Sequence, residues 1–549
     1  MNAEQGFDQA ARAHSRHAGG YWSERTIDSL FVAAAARFAD KTAIVAHRAQ
    51  SPDAELRRLS FGELRDLVSR AAASLRNMGV GRGDVVSIQL PNWSEFAIAA
   101  LACGRIGAVV NPLLPIFRER ELSYMLAFSQ ARVLIVPKVF RGFDHEAMAG
   151  RLRPGLPHLA HVIVAGGEGP DCFERALLGG DARVPPPATV SDAAAEAGDL
   201  AVLMFTSGTT GEPKGVMHDH YSLVASIDAF ANGLGHRADD VLLACSPLGH
   251  MTSYLAVLMQ ALCMGATVVL QDVWEVQRGL ALMAAEGVTH TAASTPFLTD
   301  ICDAVAAGAP RPTTLRTFLC SGAPIPPVLI ERATREFGLA VSSMWGMTEA
   351  LACTLTEPAR AREKSASSDG RPFDGMQTRI VDDDGRLLPA GETGRLLVRG
   401  PRMFMGYFKR PSADLYDADG WFDSGDLARA DAEGYLRIEG RTKDMLIRGG
   451  ENVPVVEIEN LLYKHAAVSA AAVVGYPDRR LGERGCAFVT LHPGASFDLK
   501  ALQAYMGACE VARPYWPERV EVVEAMPRTA SGKIQKFVLK ERAKAFGDM

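Results

Sequence analysis

A loop rich in hydroxyl groups and glycine, ended by one lysine, occupies residues 205–215. Its sequence is Phe-Thr-Ser-Gly-Thr-Thr-Gly-Glu-Pro-Lys-Gly, and it follows a short apolar run at 200–204 that predicts a buried strand. Glycines let backbone N–H groups approach an anion closely, and the hydroxyl groups add donors, so the loop would suit a polyphosphate. The candidate phosphate contacts are Thr206, Ser207, Gly208, Thr209, Thr210, Gly211 and Lys214.

Two other interpretations of this loop must be weighed. The Walker phosphate loop requires a Gly-Lys-Ser/Thr ending, whereas here Pro213 precedes Lys214 and Gly215 follows it. An ordinary surface loop is the second alternative, because Ser, Thr and Gly are common in loops of every kind. The loop alone leaves a phosphate site and a surface loop open.

Four further motifs follow the loop along the chain. They begin at Trp345, Trp421, Gly440 and Pro527, with the sequences Trp-Gly-Met-Thr-Glu, Trp-Phe-Asp-Ser-Gly-Asp, Gly-Arg-Thr-Lys-Asp and Pro-Arg-Thr-Ala-Ser-Gly-Lys. The five motifs, in this order, resemble those of the AMP-forming acyl-CoA synthetases of the adenylate-forming ligase superfamily. The resemblance extends over residues 22–540, and within the family the chain is most similar to ligases of cyclohexanecarboxylate and medium-chain acids.

The resemblance implies a catalytic set and the small molecules on which it acts. ATP and coenzyme A would be co-substrates with a carboxylic acid, and Mg²⁺ would be held by the hard oxygens of Glu349 and Thr206. Lys533 matches the family's adenylation lysine, which bridges the carboxylate and the α-phosphate. His250 would lie beside the carboxylate. The catalytic candidates are therefore Lys533, His250, Thr206 and Glu349.

The resemblance also places the nucleotide and coenzyme A. Trp345, where the family usually has tyrosine, would stack on adenine, and Thr348 would donate to the α-phosphate. The two carboxylate oxygens of Asp426 would accept from both ribose hydroxyls, reinforced by Arg441. The full set of candidates for these contacts, beyond the loop, is Gly322, Ala323, Pro324, Trp345, Gly346, Thr348, Asp426, Arg441, Lys443, Gly450 and Lys533.

The residues expected around the acid contain no charged side chain. Burial of an ammonium group or a second carboxylate without a partner is costly, so this pocket predicts an apolar monocarboxylic acid, whether alicyclic, aromatic or medium-chain. The pocket candidates are Gly249, His250, Met251, Tyr254, Cys320, Trp345 and Met347.

The order of apolar segments predicts an α/β protein of two domains. Strands alternate with helices over residues 60–164, which indicates parallel βαβ units. We expect residues 1–442 to form a large N-terminal adenylation domain of several subdomains with mixed α/β layers. Residues 443–549 would form a small, mobile α+β domain that carries Lys533. By resemblance Lys443 is the hinge between them, and the loop at Gly450 would admit the pantetheine arm.

Composition narrows the class of protein. A chain of 549 residues with 48% hydrophobic residues and a net charge of −6 predicts a soluble globular protein without affinity for nucleic acid or anionic membranes. Nine cysteines with no Cys-x-x-Cys pair predict reduced, mostly buried thiols. Gln260 and Gly265 interrupt the apolar run at 254–270, which predicts a buried helix and strand rather than a membrane span. We expect a cytoplasmic enzyme, with a homodimer left open.

The leading hypothesis is ATP-dependent ligation of an apolar monocarboxylic acid to coenzyme A through an acyl-adenylate, with release of AMP and pyrophosphate. The alternatives are an acyl-AMP ligase that loads a separate carrier protein, a luciferase-like oxygenase, and a nucleotide-binding scaffold without catalysis. A scaffold is expected to lack Lys533 or Glu349, and both are present.

Overall fold

Most strands of the larger, N-terminal part of the molecule belong to two mainly parallel sheets. A computed structural model describes residues 20–49, 56–179, 195–206, 213–322, 325–411, 415–441, 446–448, 451–509, 511–529 and 532–546. The strands in these ranges are β1 (Thr42–His47), β2 (Arg57–Ser60), β3 (Val85–Ile88), β4 (Val109–Pro112), β5 (Val133–Pro137), β6 (Val139–Phe140), β7 (Phe143–Asp144), β8 (His161–Ala165), β9 (Leu200–Thr206), β10 (Lys214–Asp219), β11 (Val241–Ala244), β12 (Thr267–Gln271), β13 (His290–Ala293), β14 (Thr317–Cys320), β15 (Ala340–Ser343), β16 (Gly346–Met347), β17 (Leu351–Ala352), β18 (Thr354–Leu355), β19 (Arg371–Pro372), β20 (Gln377–Val381), β21 (Gly394–Arg399), β22 (Gly406–Tyr407), β23 (Phe422–Ala430), β24 (Leu436–Arg441), β25 (Leu446–Arg448), β26 (Glu451–Val453), β27 (Val468–Asp478), β28 (Gly482–Leu491) and β29 (Arg519–Val522).

The helices pack on both faces of the sheets and around the small domain. They are α1 (Ile27–Arg37), α2 (Phe61–Asn77), α3 (Ser94–Ile106), α4 (Glu119–Ser129), α5 (His145–Leu152), α6 (Phe173–Ala176), α7 (His220–Leu234), α8 (Met251–Ser253), α9 (Gln260–Met264), α10 (Val276–Glu286), α11 (Thr295–Ala306), α12 (Pro327–Phe337), α13 (Ala361–Lys364), α14 (Val455–Lys464), α15 (Leu499–Ala508) and α16 (Lys536–Lys544). A π-helical segment, Tyr254–Met259, joins α8 to α9.

The first seven-stranded sheet has the order β22-β10-β9-β4-β3-β5-β8. Strands β9, β4, β3, β5 and β8 are parallel, whereas β10 and β22 are antiparallel additions at one edge. The predicted βαβ units are confirmed here, and Ser60 and Glu63 form a reciprocal capping box at the start of α2. The strands β3, β4 and β5 are buried along their whole length, as expected when helices cover both faces of a parallel sheet.

The second seven-stranded sheet has the order β15-β14-β13-β11-β12-β1-β2 and is parallel except for the edge strand β2. Its strands β13, β14 and β15 end at Ala293, Cys320 and Ser343. Open α/β sheets bind ligands at the carboxyl ends of their strands, so this edge is where the nucleotide motifs are expected to meet.

Two smaller sheets of four and five strands, together with three two-stranded sheets, complete the described fold. The first is antiparallel, with the order β20-β21-β23-β24, and carries Asp426 and Arg441 on neighbouring strands. The second lies in the C-terminal part, where β29 joins β28 of the sheet β26-β25-β28-β27. The two hydrophobic clusters of this part contain no residue before 446, so the fold class predicted from sequence, a large α/β part and a small α+β part, is confirmed. The hinge residue Lys443 lies outside the described residues, and the boundary at 442 stays a prediction.

The apolar run at 254–270 folds as predicted into a buried helical segment and a strand, β12. None of the described helices has both the length and the apolar character that a bilayer span requires. The nine cysteines are free thiols and eight of them are buried, which confirms the expectation from their spacing.

Candidate active site

The hydroxyl-rich loop connects two antiparallel strands, β9 and β10. Thr206 ends β9 and pairs directly with Lys214 at the start of β10, so both flank the loop at its base. Ser207, Gly208, Thr209, Thr210 and Gly211 lie outside the described residues. A lysine and a threonine side by side at the mouth of such a hairpin give a cation and a hydroxyl donor for an anionic ligand.

A tight hairpin between β16 and β17 presents Thr348 and Glu349. A Cβ atom on Gly346 would lie 2.1 Å from the carbonyl oxygen of Leu351, so only glycine permits this close approach of the two strands. The carbonyl of Thr348 accepts a hydrogen bond of 2.7 Å from Nε2 of the buried His218. The turn is therefore fixed by its backbone before any ligand binds.

Tyr407, on the edge strand β22, connects Glu349 to the phosphate hairpin. Its hydroxyl donates to Oε1 of Glu349 at 2.8 Å, and Nζ of Lys214 lies 4.7 Å from the centroid of its ring. Burial, with Glu349 alongside, raises the pKa of Tyr407, so the phenol stays protonated as a donor. The Phe404 N–H also donates to the Glu349 carbonyl, at 2.8 Å.

Arg402 is the largest fully buried side chain of the described residues and supports the same hairpin. Its Nε donates to the Ala352 carbonyl at 2.9 Å, and a terminal nitrogen donates to the Asp374 carbonyl at 3.0 Å. Burial lowers the pKa of Arg402 to about 10, so it remains a cation at neutral pH. Sequence reasoning missed Arg402 and Tyr407, since no local pattern marks either one, and only pairing of β22 with β10 brings their segment to the site.

Asp426 is a buried carboxylate with a protein partner on each oxygen. The indole N–H of Trp345 donates to Oδ2 at 3.0 Å, and Nε of Arg441 lies 2.9 Å from Oδ1. Burial raises the pKa of Asp426, while Arg441, Trp345 and Lys533 oppose that rise. The structure thus brings the three predicted ribose and adenine residues together and adds a hydrogen bond from Trp345 that the sequence did not indicate.

The turn after β14 carries the predicted adenine segment. Gly322 has φ +84°, a left-handed conformation that glycine adopts without strain, and it is exposed at the carboxyl end of the sheet. Ala323 and Pro324 lie outside the described residues.

The predicted acid pocket begins at a turn before α8. A Cβ atom on Gly249 would lie 2.8 Å from Cδ2 of Leu114 and 3.1 Å from the Leu114 nitrogen, so glycine lets this turn pack against the first sheet's subdomain. His250 precedes α8, and its Nε2 is buried without a hydrogen-bond partner among the described residues. Burial, and the charge of Lys533, lower the pKa of His250 to about 4, so its ring is neutral at pH 7.

The other pocket candidates separate onto two faces of the second sheet. Tyr254 and Trp345 belong to the main core cluster, and Met251 and Met347 pack against it. Cys320 belongs instead to the second cluster, behind the sheet, where its sulfur lies 3.9 Å from the Thr295 hydroxyl. Because side chains alternate along a strand, Leu319 faces the side of Tyr254 and Cys320 faces away. The structure therefore does not bring the Cys320 side chain to the other six.

Lys533 reaches the same site from the small domain. A Cβ atom on Gly532 would lie 2.8 Å from Cγ of Pro296 and 3.2 Å from the Ser294 hydroxyl, so the turn that carries Lys533 packs on the start of α11. The charge of Lys533 helps to lower the pKa of His250 and opposes the rise that burial causes in the pKa of Asp426. The lysine thus acts on the predicted acid site and the predicted ribose site at once. Gly450 lies outside the described residues.

Comparison with known proteins shows the family to which the chain belongs. Residues 31–408 match the family described as AMP-binding enzyme, and residues 457–533 match the AMP-binding enzyme C-terminal domain. The chain belongs to the AMP-binding enzyme family. This confirms the superfamily that the five motifs predicted.

Relatives of this AMP-binding enzyme include curated proteins and solved structures. It is 34% identical to the medium-chain fatty-acid–CoA ligase of Escherichia coli (strain K12), over 97% of this chain and 93% of that protein. It is 36% identical to the salicyl-AMP ligase / salicyl-S-ArCP synthetase of Mycobacterium tuberculosis, over 96% and 92%. The crystal structure of the anthranilate CoA ligase AuaEII with anthranoyl-AMP matches with a TM-score of 0.85 and 26% identity, over 95% and 98%.

The side chains of Glu349 and Thr206 fit the kind of ligand set that holds a Mg²⁺ ion. Mg²⁺ in nucleotide sites uses one or two carboxylates together with phosphate oxygens and water rather than a cage of protein ligands. Glu349 has one oxygen on Tyr407, which leaves the other for a cation, and the described residues contain no group of three or more acidic, His or Cys side chains placed to hold a metal ion by themselves. Thr206 supplies a hydroxyl from the neighbouring hairpin.

Proposed function

We propose that this protein is an AMP-forming ligase that joins an apolar monocarboxylic acid to coenzyme A. The observation that carries the proposal is the packing of the Lys533 turn on Ser294 and Pro296, which places the lysine's charge near both His250 and Asp426. A cation between an acid site and a ribose site is where the carboxylate of an acid and the α-phosphate of ATP would meet. The identity of 34% with a medium-chain fatty-acid–CoA ligase supports the substrate class.

In the first half-reaction the acid's carboxylate oxygen attacks the α-phosphorus of ATP, the acyl-adenylate forms and pyrophosphate leaves. Negative charge accumulates on the phosphate and carboxylate oxygens, so donors fixed in advance provide most of the catalysis. Lys533 offsets charge between the two reactants, and Lys214 and Thr206 face the departing pyrophosphate. The neutral His250 donates from Nε2 to the carboxylate, which orients it without removing its charge. A bound Mg²⁺, held by Glu349 and Thr206, would neutralise phosphate charge.

In the second half-reaction the thiolate of coenzyme A attacks the acyl carbonyl and AMP leaves, so Lys533 is no longer required. We assign the exchange between half-reactions to rotation of the small domain about Lys443, with Gly450 moving to the thiol's path. These two assignments rest on the family resemblance. We also assign the enzyme to the cytoplasm, where ATP and coenzyme A are available.

The test is AMP release by the purified protein with ATP, Mg²⁺ and a panel of acids, each with and without coenzyme A. We expect hexanoate, octanoate, cyclohexanecarboxylate and benzoate to support AMP release that requires coenzyme A and yields the acyl-CoA. Preference for succinate or phenylalanine over every acid with an uncharged tail would contradict the acid pocket.

A second candidate function is acyl transfer to a separate carrier protein, which the 36% identity with a salicyl-AMP ligase / salicyl-S-ArCP synthetase supports. The same assay separates the two. Acyl-AMP that accumulates without thioester formation on coenzyme A, and is discharged by a phosphopantetheinylated carrier protein, would establish the second function.

A further inference from the structure

A small cavity lies between the helical segment Tyr254–Met259 and the second sheet. Its volume is ≈ 10 Å³, and Val257, Leu319, His236 and His290 are among the residues that line it. Val257 follows His250 by seven residues along one helical segment, a separation of about 10 Å at the rise of a helix.

The second sheet gives an independent measure of the separation between the cavity and the place where the carboxylate would be activated. His290 begins β13, and the Lys533 turn packs on Ser294, just beyond the end of that strand. Four residues of a strand cover about 13 Å. The cavity therefore lies about 10 to 13 Å from the place where the carboxylate is activated, on the Tyr254 face of the sheet.

His236 is the first unusual feature of the cavity. His236 is buried, with 9% of its surface exposed, and neither ring nitrogen has a hydrogen-bond partner among the described residues. Its backbone is fixed, because the His236 N–H donates to the Ala231 carbonyl at 3.0 Å just after α7 ends. A buried polar ring without a partner is costly, so its retention calls for a ligand that supplies one.

His290 stands next to it, with ring centroids 4.5 Å apart in an edge-to-face arrangement. Nδ1 of His290 lies 2.9 Å from the Thr289 hydroxyl, which itself donates to Oδ1 of Asp240 at 3.0 Å. The Thr289 oxygen is thus the acceptor for the Nδ1 proton, and Nε2 of His290 is left as an acceptor. Asp240 is held in turn by Arg316.

Both rings are neutral at pH 7. Burial lowers the pKa of His236 to about 3 and that of His290 to about 4. The remainder of the lining is apolar except for the Thr291 and Thr317 side chains. The cavity offers hydrogen bonds without charge, so it does not suit a second carboxylate or an ammonium group.

We propose that this cavity is the distal end of the acid site and recognises a neutral oxygen group, a hydroxyl or ketone, about 10 Å from the carboxylate of the acid. The inference rests on the proposed function and specifies its substrate class. A hydroxyl satisfies both rings, since it accepts from an N–H of His236 and donates to Nε2 of His290. A ketone accepts from His236 alone.

The experiment compares acids of one chain length: octanoate, 8-hydroxyoctanoate, 7-oxooctanoate and octanedioate. We expect kcat/KM for AMP release by the wild type to be about tenfold or more higher with the hydroxy and oxo acids than with octanoate, because a pocket built for hydrogen bonds rejects analogues that lack them. Octanedioate should be the poorest substrate. His236→Leu should reduce the ratio of hydroxy acid to octanoate toward one. The control His158→Leu changes an exposed histidine elsewhere and should keep the wild-type ratio.

Two results would overturn the distal site. One is equal kcat/KM for octanoate and the oxygenated acids, as expected if an ordered water alone satisfies the two rings. The other is a fall in kcat/KM by the same factor for all four acids in His236→Leu. The ratio of hydroxy acid to octanoate would then keep its wild-type value in this variant as well as in the hydrogen-bonding variant His236→Gln. Absence of AMP release with every acid is a failure of the proposed function instead. In that event, calorimetric titration of octanoate and 8-hydroxyoctanoate into the wild type decides the distal site, and equal affinities would refute it.

Discussion

The buried polar groups at the nucleotide end of the proposed site have protein hydrogen-bond partners, whereas ring nitrogens at the acid end lack them among the described residues. At the nucleotide end, Asp426 has a partner on each oxygen, and Glu349 is held by Tyr407. At the acid end, His250 and His236 have ring nitrogens that are buried without partners among the described residues. The first arrangement is preorganised for the nucleotide that we propose binds there. The second leaves hydrogen bonds unmade until an acid supplies them, and that is a means of selecting one acid over another.

The largest effect we expect is a loss of stability in mild acid. Burial lowers the pKa of His220 and His250 to about 4, as it does for His290, and that of His236 to about 3. Between pH 6.5 and about 4 the unfolded chain binds protons that the folded chain excludes. The contribution of these histidines to the free energy of unfolding is therefore fully present above pH 6.5 and is lost as the pH decreases. Each pH unit below 6.5 therefore costs up to about 1.4 kcal/mol for each of these histidines, and the four contributions act in the same direction.

Thermal unfolding at pH 7.5, 6.5, 5.5 and 5.0 measures this loss. Tm should fall over that range, and it should fall less in His236→Leu than in the wild type or in His158→Leu. Parallel curves for the three proteins would show that His236 takes up its proton without unfolding.

Lys533→Ala removes the charge that acts on both the nucleotide end and the acid end of the site. We expect adenylation to lose about 3 to 4 kcal/mol of transition-state stabilisation, the scale of one positioned donor. Thioester formation from supplied acyl-AMP should be affected far less. Pyrophosphate exchange and single-turnover thioester formation measure the two half-reactions, and Lys540→Ala, in α16, is the matched control. Equal losses in both half-reactions would contradict the assigned role.

Tyr407→Phe tests whether the nucleotide end is preorganised. The change removes one hydrogen bond to a carboxylate, worth about 1.5 to 3 kcal/mol, and keeps the ring beneath Lys214. We expect a lower kcat/KM for ATP with little change in the ratios among acids. Tyr416→Phe, which removes a hydroxyl that donates to the Phe404 carbonyl instead, is the control. Altered acid preference in Tyr407→Phe would show that the two ends are not independent.

Trp345→Phe should have the smallest effect. It retains a ring for stacking on adenine and removes the N–H that donates to Asp426, a loss of about 1 to 3 kcal/mol reduced by Arg441 on the other oxygen. The KM for ATP should rise several-fold, and Trp345→Tyr, the residue usual in the family, should behave similarly because neither ring presents an indole N–H. A KM for ATP that is unchanged in both variants would show that the hydrogen bond holds Asp426 without contributing to nucleotide affinity.

The amino-acid sequence by itself determined the family and the fold class, and it predicted the residues of the nucleotide end. Hydroxyl-rich and acidic motifs such as 205–215 and 345–349 are local, because each places its chemistry within a few residues, and helix signals such as the Ser60 capping box are local as well. The alternation of strands and helices over residues 60–164 likewise predicted the βαβ units that contain β3, β4 and β5.

Tertiary structure determined which residues contact each other across the site and which face of a sheet each side chain occupies. Tyr407 reaches Glu349 only because β22 pairs with β10, and His236 meets His290 only because α7 ends beside the start of β13. A motif also does not specify which way a strand faces, so Cys320 was assigned to the acid pocket when Leu319 is the residue on that side. Contacts between residues distant in sequence depend on how sheets and helices pack, and that information is distributed over the whole chain rather than contained in any one segment.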